Sequence, residues 1–270
     1  MPELPEVETV RSGIAPWVVG PAVSSVAVRD RRLRWPVPEN LHQTLHSLRF
    51  TRVDRRGKYL LLQSAAGRLL IHLGMSGRLC FLRDPSPPGR HDHVDVVFGE
   101  HGLLRYTDPR RFGCLLWVPA GEQHPLLSRL GPEPFDASFN GRYLWERARN
   151  RRLAVKALIM DASVVVGVGN IYANEALFEA GIDPFRMAGR VSRQRYERLV
   201  DAIRSVLRSA IDAGGTTLRD FVDSEGRPGY FEQSLRVYAR AGQPCPRCAL
   251  PLRVHRLAQR ATYVCHTCQR

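Results

Sequence analysis

The chain begins Met1-Pro2-Glu3-Leu4-Pro5-Glu6, which places a proline nitrogen beside two carboxylates. If Met1 is removed, Pro2 becomes a terminal secondary amine, which is partly neutral at physiological pH because the pKa of a terminal amine is roughly 7.7 to 8. Such an amine can attack an aldehyde-level carbon such as a sugar C1′. The iminium formed has no N–H proton to lose, so it stays cationic and can drive a later elimination. The pattern predicts covalent catalysis, with Pro2 as nucleophile and Glu3 as the neighbouring acid.

The same segment also has a structural interpretation. Proline is favoured in the first turn of a helix, and glutamates stabilise the helix N-terminus. Val7, Val10 and Ile14 follow at the spacing of a buried helical stripe. We therefore predict a helix that begins near Pro5, and such a helix is compatible with a catalytic role for Pro2.

The balance of charge points to a polyanionic partner. The 270 residues include 40 Lys and Arg against 26 Asp and Glu, and the sequence pI is about 10.3. Nucleic acid is the leading interpretation, while an anionic membrane surface or a solvated basic face would also fit. The chain has no run of about 18 apolar residues that would predict a membrane span, and its acidic N-terminus is unlike a signal peptide. We therefore expect a cytoplasmic protein.

Only two of the 40 basic residues are lysines, Lys58 and Lys156. An ammonium group is a compact charge that can lose its proton, whereas the guanidinium group of arginine stays charged. In a chain that otherwise uses arginine, the two lysines are candidates for roles that arginine cannot fill. Compositional drift that spared two positions is the alternative.

Four cysteines near the C-terminus have the spacing of a structural zinc site. The pairs Cys245-Pro-Arg-Cys248 and Cys265-His-Thr-Cys268 are separated by 16 residues, as in a site built on two knuckles. Disulfides are the alternative, but a cytoplasmic setting disfavours them. Residues 236–270 contain seven arginines and no Asp or Glu. We therefore predict a zinc-stabilised basic hairpin that binds phosphate.

Short apolar or alternating runs, separated by turn residues, fill the first half of the chain and predict an all-β sandwich or barrel. These runs cover residues 23–28, 59–63, 69–73, 94–98, 103–106 and 114–118. Beyond a boundary at Gly131-Pro132-Glu133-Pro134 the apolar period becomes helical. It predicts helices around residues 153–160, 171–180 and 199–211. Residues 214–235 are polar and rich in glycine, which is typical of a mobile loop.

These features occur together in one family. The sequence closely resembles bacterial formamidopyrimidine-DNA glycosylases over essentially its whole length. The motifs that carry the resemblance are PELPEVETVR at 2–11, RRGKYLLL at 55–62, HLGMSGRL at 72–79, HDHVD at 91–95, YTDPRRFG at 106–113, VGVGNIYANEALF at 166–178, GGTTLRDF at 214–221, GRPGYF at 226–231 and QRATYVCHTCQ at 259–269. The resemblance implies an α+β fold with an N-terminal β-sandwich in residues 1–133, a helix-two-turn-helix module in 134–235 and a four-cysteine zinc finger in 236–270. It also implies one structural Zn²⁺, damaged double-stranded DNA as the partner, and a monomer.

The resemblance assigns chemistry to four residues. Pro2 would attack C1′ of the damaged nucleoside, and Glu3 would donate protons as a general acid. Lys58 corresponds to a second basic catalytic group that transfers protons and contacts phosphate. Arg260 corresponds to a zinc-finger arginine that binds phosphate and assists the late elimination. The implied activity is excision of oxidised purines, 8-oxoguanine and formamidopyrimidines, followed by β,δ-elimination of both phosphates.

Seven further residues correspond to DNA contacts of the family. Met75, Arg110 and Phe112 match side chains that fill the gap left by an extruded nucleotide. Taken singly, Met75 and Phe112 would be expected in a core. The other matching contacts are His91, Arg151, Lys156 and Asn170. The resemblance also assigns lesion recognition to the loop from Gly214 to Phe231.

Two other functions stay open on this evidence. An endonuclease VIII-type enzyme of the same superfamily would act on oxidised pyrimidines, but Leu4, where that branch typically has glycine, and the long loop that begins at Gly214 favour the purine enzyme. A zinc-ribbon damage sensor without catalysis is the alternative from another class. The presence of Pro2, Glu3 and Lys58 argues against that alternative.

Overall fold

The computed structural model describes residues 2–215 and 234–270. The described residues form two compact units, one containing residues 2–128 and 213–215 and the other residues 129–212 and 234–270. No helix among the described residues is long and apolar enough to cross a membrane.

The first unit is a β-sandwich, as the resemblance implies. Its helices are α1 (Leu4–Val18), α2 (Leu41–Leu45) and α3 (Pro125–Ser128). Its strands are β1 (Ser25–Val28), β2 (Arg52–Arg56), β3 (Tyr59–Ser64), β4 (Gly67–His72), β5 (Arg78–Leu82), β6 (Asp92–Val97), β7 (Leu103–Thr107) and β8 (Cys114–Pro119). They form two antiparallel sheets, in the orders β1-β6-β7-β5 and β2-β3-β4-β8.

The main core of this unit contains residues of both sheets and of α1. Alternate residues of β3 point to opposite faces, so Leu60 and Leu62 lie in the main core while Leu61 belongs to a second apolar cluster. Leu126 of α3 packs against that second cluster. Because the second sheet is covered on both faces, β3 and β4 have continuous apolar runs rather than an alternating pattern.

Helix α1 confirms the structural interpretation of the N-terminal segment. Pro5 lies in its first turn, and the predicted stripe of Val7, Val10 and Ile14 is buried in the main core. The start of the chain is therefore anchored to the sandwich by apolar contacts, which fixes the residues just before the helix.

The second unit is helical and ends in a β-hairpin. Its helices are α4 (Gly141–Ala148), α5 (Val155–Ile159), α6 (Asn170–Glu179) and α7 (Arg193–Asp212), and its strands are β9 (Arg253–Leu257) and β10 (Arg260–Val264). Turns join α5 to α6, and Gly167 in this connection has φ +83°, a conformation that favours glycine. This arrangement agrees with the implied helix-two-turn-helix module.

The structure contains elements that the sequence pattern does not indicate. Strand β2 buries only Val53 among charged neighbours, so it lacks an apolar run. The sequence pattern also does not predict strand β5 or the short helices α2, α3 and α4. The helix predicted around 153–160 is shorter than expected, because Leu153 lies outside α5 and is 36 % exposed.

Candidate functional site

Pro2 and Glu3 lie at the start of α1. Pro2 is buried, and Glu3 is only 2 % exposed. Glu3 forms a capping box with Glu6, in which the Glu3 N–H donates to Glu6 Oε2 at 2.7 Å. The capping box therefore fixes Glu3 at the start of the helix, and both Pro2 and Glu3 are largely shielded from water.

Lys58 lies at the tip of the β2–β3 hairpin, in a two-residue turn with Gly57. Arg55 links this turn to α1, because its Nε donates to Glu8 Oε2 at 2.9 Å and its Nη1 donates to the Gly57 carbonyl at 3.0 Å. Burial alone would raise the pKa of Glu8, but hydrogen bonds from Arg11 and Arg55 outweigh it and lower that pKa. The Glu8–Arg55 ion pair is therefore present at neutral pH.

His72, which the sequence pattern does not single out, lies near Lys58. Burial, together with the charges of Lys58 and Arg34, lowers the pKa of His72 to about 4. The Gly74 N–H donates to His72 Nδ1 at 3.0 Å, so the neutral ring carries its proton on Nε2. A neutral imidazole thus connects the Lys58 hairpin to the turn formed by residues 74–77, here called the Met75 turn.

Arg110 and Phe112 lie on residues 108–113, here called the Phe112 loop, which packs directly on the Met75 turn. A Cβ added to Gly74 would lie 2.5 Å from backbone atoms of Phe112 and Gly113, so the two segments touch backbone to backbone. Met75 is 38 % exposed and Phe112 is 45 % exposed. The core position expected for each side chain on its own is therefore wrong. The Arg110 guanidinium lies over the Phe112 ring, 4.9 Å from its centroid.

His91 lies beside the Phe112 loop. It is half-buried just before β6, and its carbonyl accepts a hydrogen bond from the Asp108 N–H at 3.0 Å. Short chains of contacts in the first unit therefore connect four of the predicted residues, namely Met75, His91, Arg110 and Phe112, and the charge of Lys58 acts on His72 beside them.

In the second unit, Lys156 and Asn170 contact strand β10. Lys156 is 1 % exposed, and its Nζ donates to the Ala261 carbonyl at 3.0 Å and to Thr262 Oγ1 at 2.8 Å. Asn170 Nδ2 donates to the same carbonyl at 3.1 Å. Both side chains therefore hold the strand whose first residue is Arg260.

Arg260 and Arg151 differ in their exposure. Arg260 is exposed and follows a turn in which Ala258 and Gln259 have φ angles of +45° and +61°. Arg151 is half-buried beyond the end of α4. The second unit therefore brings Lys156, Asn170 and Arg260 to one strand, whereas Arg151 lies on a separate segment.

The four cysteines predicted as metal ligands converge. Their Sγ atoms all lie within 4.8 Å of one another, with Cys248 and Cys265 at 3.4 Å and Cys245 and Cys268 at 3.9 Å, and all four are free of disulfides. A tetrahedral Zn²⁺ with bonds of roughly 2.3 Å needs sulfurs about 3.8 Å apart. The donor set and its spacing fit such an ion. Residues 245–268, which contain β9 and β10, are called the cysteine hairpin below.

Glu175, another residue that the sequence pattern does not single out, fixes the segment that leads into the cysteine hairpin. It is 3 % exposed, and its Oε1 accepts from the N–H groups of Val237 and Tyr238 at 3.0 and 2.8 Å. Its Oε2 accepts from the Arg236 N–H at 2.9 Å. The partners of Glu175 are about 60 positions away along the chain, so no local motif reveals this role. Of the predicted lesion-reading loop, residues 216–231 lie outside the described residues.

Comparisons with known proteins agree with this geometry. Sequence profiles of the formamidopyrimidine-DNA glycosylase N-terminal domain and H2TH domain match residues 1–115 and 130–222. Proteins named formamidopyrimidine-DNA glycosylase from Syntrophotalea carbinolica and Methylococcus capsulatus are 58 % and 59 % identical to this chain over the full length of both partners.

Solved structures give the same result. The crystal structure of MutM (Fpg) from Thermus thermophilus is 40 % identical, with a TM-score of 0.86 over 99 % of this chain and 98 % of its own. A Lactococcus lactis Fpg variant in complex with Fapy-dG-containing DNA is 31 % identical, with a TM-score of 0.92 over 99 % of both chains. With two domain profiles, full-length relatives and a matching fold, the chain belongs to the formamidopyrimidine-DNA glycosylase family.

Proposed function

We propose that this chain is a bifunctional DNA glycosylase and AP lyase that excises 8-oxoguanine and formamidopyrimidines from double-stranded DNA. The observation that carries the proposal is the exposure of Met75, Arg110 and Phe112 on two segments that pack on each other. A flexible thioether, a planar cation and an aromatic ring suit an unstacked base step and an orphaned base. The names of the relatives and the Fapy-dG complex of the Lactococcus lactis protein support the lesion class.

The proposed chemistry begins at the N-terminus, once Met1 is removed. The Pro2 nitrogen attacks C1′ and displaces the damaged base, and Glu3 supplies the proton that opens the sugar ring. The product is a cationic iminium at C1′. Loss of a proton from C2′ then expels the 3′ phosphate by β-elimination, and δ-elimination expels the 5′ phosphate. Lys58 contacts phosphate and transfers protons during these steps.

Affinity for DNA in this proposal comes mainly from contacts with phosphate. His91, Arg151 and Asn170 contact the backbone, and Arg260 binds phosphate and assists the final elimination. Lys156 contributes through strand β10, because its Nζ is engaged by Ala261 and Thr262. Damaged double-stranded DNA is the partner, and the enzyme acts as a monomer.

We propose zinc as the ion held by Cys245, Cys248, Cys265 and Cys268. Four thiolates would complete a tetrahedral shell and leave no position for substrate, which would make the ion structural. When bound, the ion would hold the two knuckles together. Cys265 directly follows the last residue of β10, so the cysteines fix the base of the hairpin whose opposite end presents Arg260.

The domain division proposed from the sequence is 1–133, 134–235 and 236–270. Within the second of these, the loop from Gly214 to Phe231 would read the damaged base. Its glycines allow backbone to approach an extruded base closely, and backbone amides can pair with the O6 edge of 8-oxoguanine.

Covalent capture with borohydride tests the mechanism. Protein shown by intact mass to lack Met1 is incubated with duplex DNA containing 8-oxoguanine, and borohydride is added during turnover. Reduction of the iminium should link the protein to DNA through Pro2. Protein with one residue added before Pro2 is the matched control and should form no adduct, because its proline nitrogen is an amide. Absence of the adduct from the Met1-free protein would contradict the mechanism.

Shortening residues 217–228 tests lesion recognition. Excision of 8-oxoguanine should fall much more than cleavage at a preformed abasic site, because the abasic site presents no base to read. A duplex with an oxidised pyrimidine is a third substrate, since a Lactococcus lactis Fpg has been crystallised with such DNA. Faster turnover of the pyrimidine lesion than of 8-oxoguanine would favour an endonuclease VIII-like enzyme. Equal losses on the first two substrates would remove the loop from lesion recognition.

A further inference from the structure

Asp108 lies between the Met75 turn and the rest of the Phe112 loop. It follows β7 directly and is 0 % exposed. Its Oδ1 accepts a hydrogen bond from Ser76 Oγ at 3.0 Å and another from the Arg110 N–H at 3.3 Å. One carboxylate oxygen therefore bonds both to the residue that follows Met75 and to the backbone of Arg110.

The other carboxylate oxygen is also fully used. Asp108 Oδ2 accepts from the Gly113 N–H at 2.9 Å and from Tyr106 Oη at 3.4 Å. The two oxygens thus join the Met75 turn, two backbone N–H groups of the Phe112 loop and strand β7. Loss of an acceptor at this position would leave buried donors without partners. The resulting loss of folding stability is larger than the net stability that the hydrogen bonds contribute.

The backbone of Asp108 reaches a further predicted DNA contact. Its N–H donates to the His91 carbonyl at 3.0 Å, and its carbonyl accepts from His93 Nε2 at 2.8 Å. His93 is 1 % exposed, so this contact lies inside the sandwich. Asp108 is therefore bonded to the segments of His91, Met75, Arg110 and Phe112, although its own side chain cannot reach DNA.

Met75 and Phe112 are partly exposed, so each side chain packs against fewer protein atoms than a core side chain does. Side chains that enter a duplex must be held near their final geometry by the groups beneath them. The Met75 turn is closed by the Gly77 N–H donating to the Leu73 carbonyl at 2.8 Å, but that bond is internal to the turn. The Ser76–Asp108 hydrogen bond is a side-chain link between the turn and the Phe112 loop, in addition to their backbone contact at Gly74.

We propose that Asp108 is a positioning residue for gap filling: it holds Met75, Arg110 and Phe112 in one register, so that the three side chains enter the duplex together when the damaged nucleotide is extruded. The proposal rests on the proposed function, because it takes these side chains to enter DNA.

The test compares Asp108→Asn and Ser76→Ala with the wild-type enzyme. Asp108→Asn keeps the shape but turns an NH₂ group toward two donors, and Ser76→Ala removes only the link to the Met75 turn. Asp84→Asn is the matched control, since Asp84 is exposed on the loop after β5. Two substrates are used, a duplex containing 8-oxoguanine and a single-stranded oligonucleotide containing an abasic site. The single strand has no opposite base and no gap to fill.

We expect Asp108→Asn to slow excision from the duplex by about tenfold or more, and Ser76→Ala to slow it by less. Cleavage of the single-stranded abasic site should change by less than about twofold, since the nucleophile is intact. Fluorescence of 2-aminopurine placed opposite the lesion should report less unstacking by both variants. Asp84→Asn should match the wild type on every readout.

Equal losses on duplex and single-stranded DNA would overturn the proposal, because they would mean that Asp108 only supports the fold. Unchanged duplex excision by Asp108→Asn would also overturn it. If Asp108→Asn does not fold, Ser76→Ala alone decides, and an unchanged 2-aminopurine signal in that variant contradicts the proposal. Wild-type enzyme inactive on both substrates would overturn the proposed function and this proposal together, whereas the other outcomes concern Asp108 alone.

Discussion

The two units support their functional loops by different means. The Met75 turn and the Phe112 loop rest on a sandwich core built from two four-stranded sheets and α1, and a buried carboxylate joins them. The cysteine hairpin has almost no such core. All residues of β9 except the last are exposed, and the apolar cluster beneath the hairpin contains Phe178, Val237, Leu252 and two of the cysteines.

This difference shows that the size of the apolar core decides which further interactions a segment needs in order to be ordered. The large core of the sandwich offsets the entropy cost of ordering the Met75 turn and the Phe112 loop. Hydrogen bonds at Asp108 are then enough to set the position of one segment relative to the other. A segment as short as the cysteine hairpin buries too little apolar surface to fold alone, so it needs a metal ion or a neighbouring element. Here the four cysteines and Glu175 fill that need.

The largest expected effect is the loss of one metal ligand. Cys248→Ser should abolish metal binding and unfold the cysteine hairpin, because the binding energy of a structural ion is also the folding energy of the segment that holds it. DNA affinity should fall by about tenfold or more as Arg260 loses its fixed place. Metal content and fluorescence anisotropy with labelled duplex measure the two effects. Cys80→Ser, which changes a cysteine of β5 outside the cluster, is the control. Full DNA affinity in verified metal-free protein would count against this prediction.

A cavity in the sandwich core should lower the stability of the sandwich and leave the metal site intact. Leu62→Ala removes a side chain with 0 % exposure and should lower the free energy of unfolding by about 3 kcal/mol. Metal content should stay unchanged, because the cysteine cluster belongs to the other unit. Denaturant unfolding measures the first effect. Leu250→Ala is the control, since Leu250 is 53 % exposed and its loss should cost less than about 0.5 kcal/mol. Loss of metal from Leu62→Ala would show that the two units are not independent.

Acid should weaken the sandwich through His72. The unfolded chain binds this proton near the usual pKa of 6.5, whereas burial and the nearby cations lower the pKa of His72 to about 4 in the folded state. Protonation between these two values therefore favours unfolding, so stability falls as pH falls through this window. Between pH 7 and pH 5, protonation linked to His72 should lower the free energy of unfolding by about 2 kcal/mol. In His72→Asn, where the amide oxygen can still accept from Gly74, the loss measured by denaturant unfolding should be smaller by that amount. The same pH dependence in both proteins would contradict the assignment.

The smallest expected effect concerns one phosphate contact of the cysteine hairpin. Arg260→Ala should reduce the slope of log affinity against log salt concentration by about 0.9, because one phosphate contact is lost. Metal content should not change, since Arg260 is exposed and is not a ligand. Anisotropy titrations over a range of salt concentrations measure the slope. An unchanged slope would remove Arg260 from the phosphate contacts.

The spacing of residues along the sequence was enough to predict several features of this protein. The four cysteines, the stripe of α1 and the apolar runs of β3 and β4 depend on residues close in sequence, and each was predictable for that reason. The family motifs also located Lys58, Met75, Arg110 and Phe112. Strand β2 was not predictable in this way, because an edge strand with one buried residue is stabilised by its neighbour β3 and not by its own apolar pattern.

Only the tertiary structure decided how the site is held. Met75 and Phe112 are apolar residues that would each be expected in a core, yet both are exposed on two segments that meet backbone to backbone at Gly74. The interactions of Asp108, His72 and Glu175 depend on side chains or backbone groups brought from other elements. A buried polar group acquires its role from the partners that folding brings within hydrogen-bonding distance, and such partners have no fixed spacing along the chain.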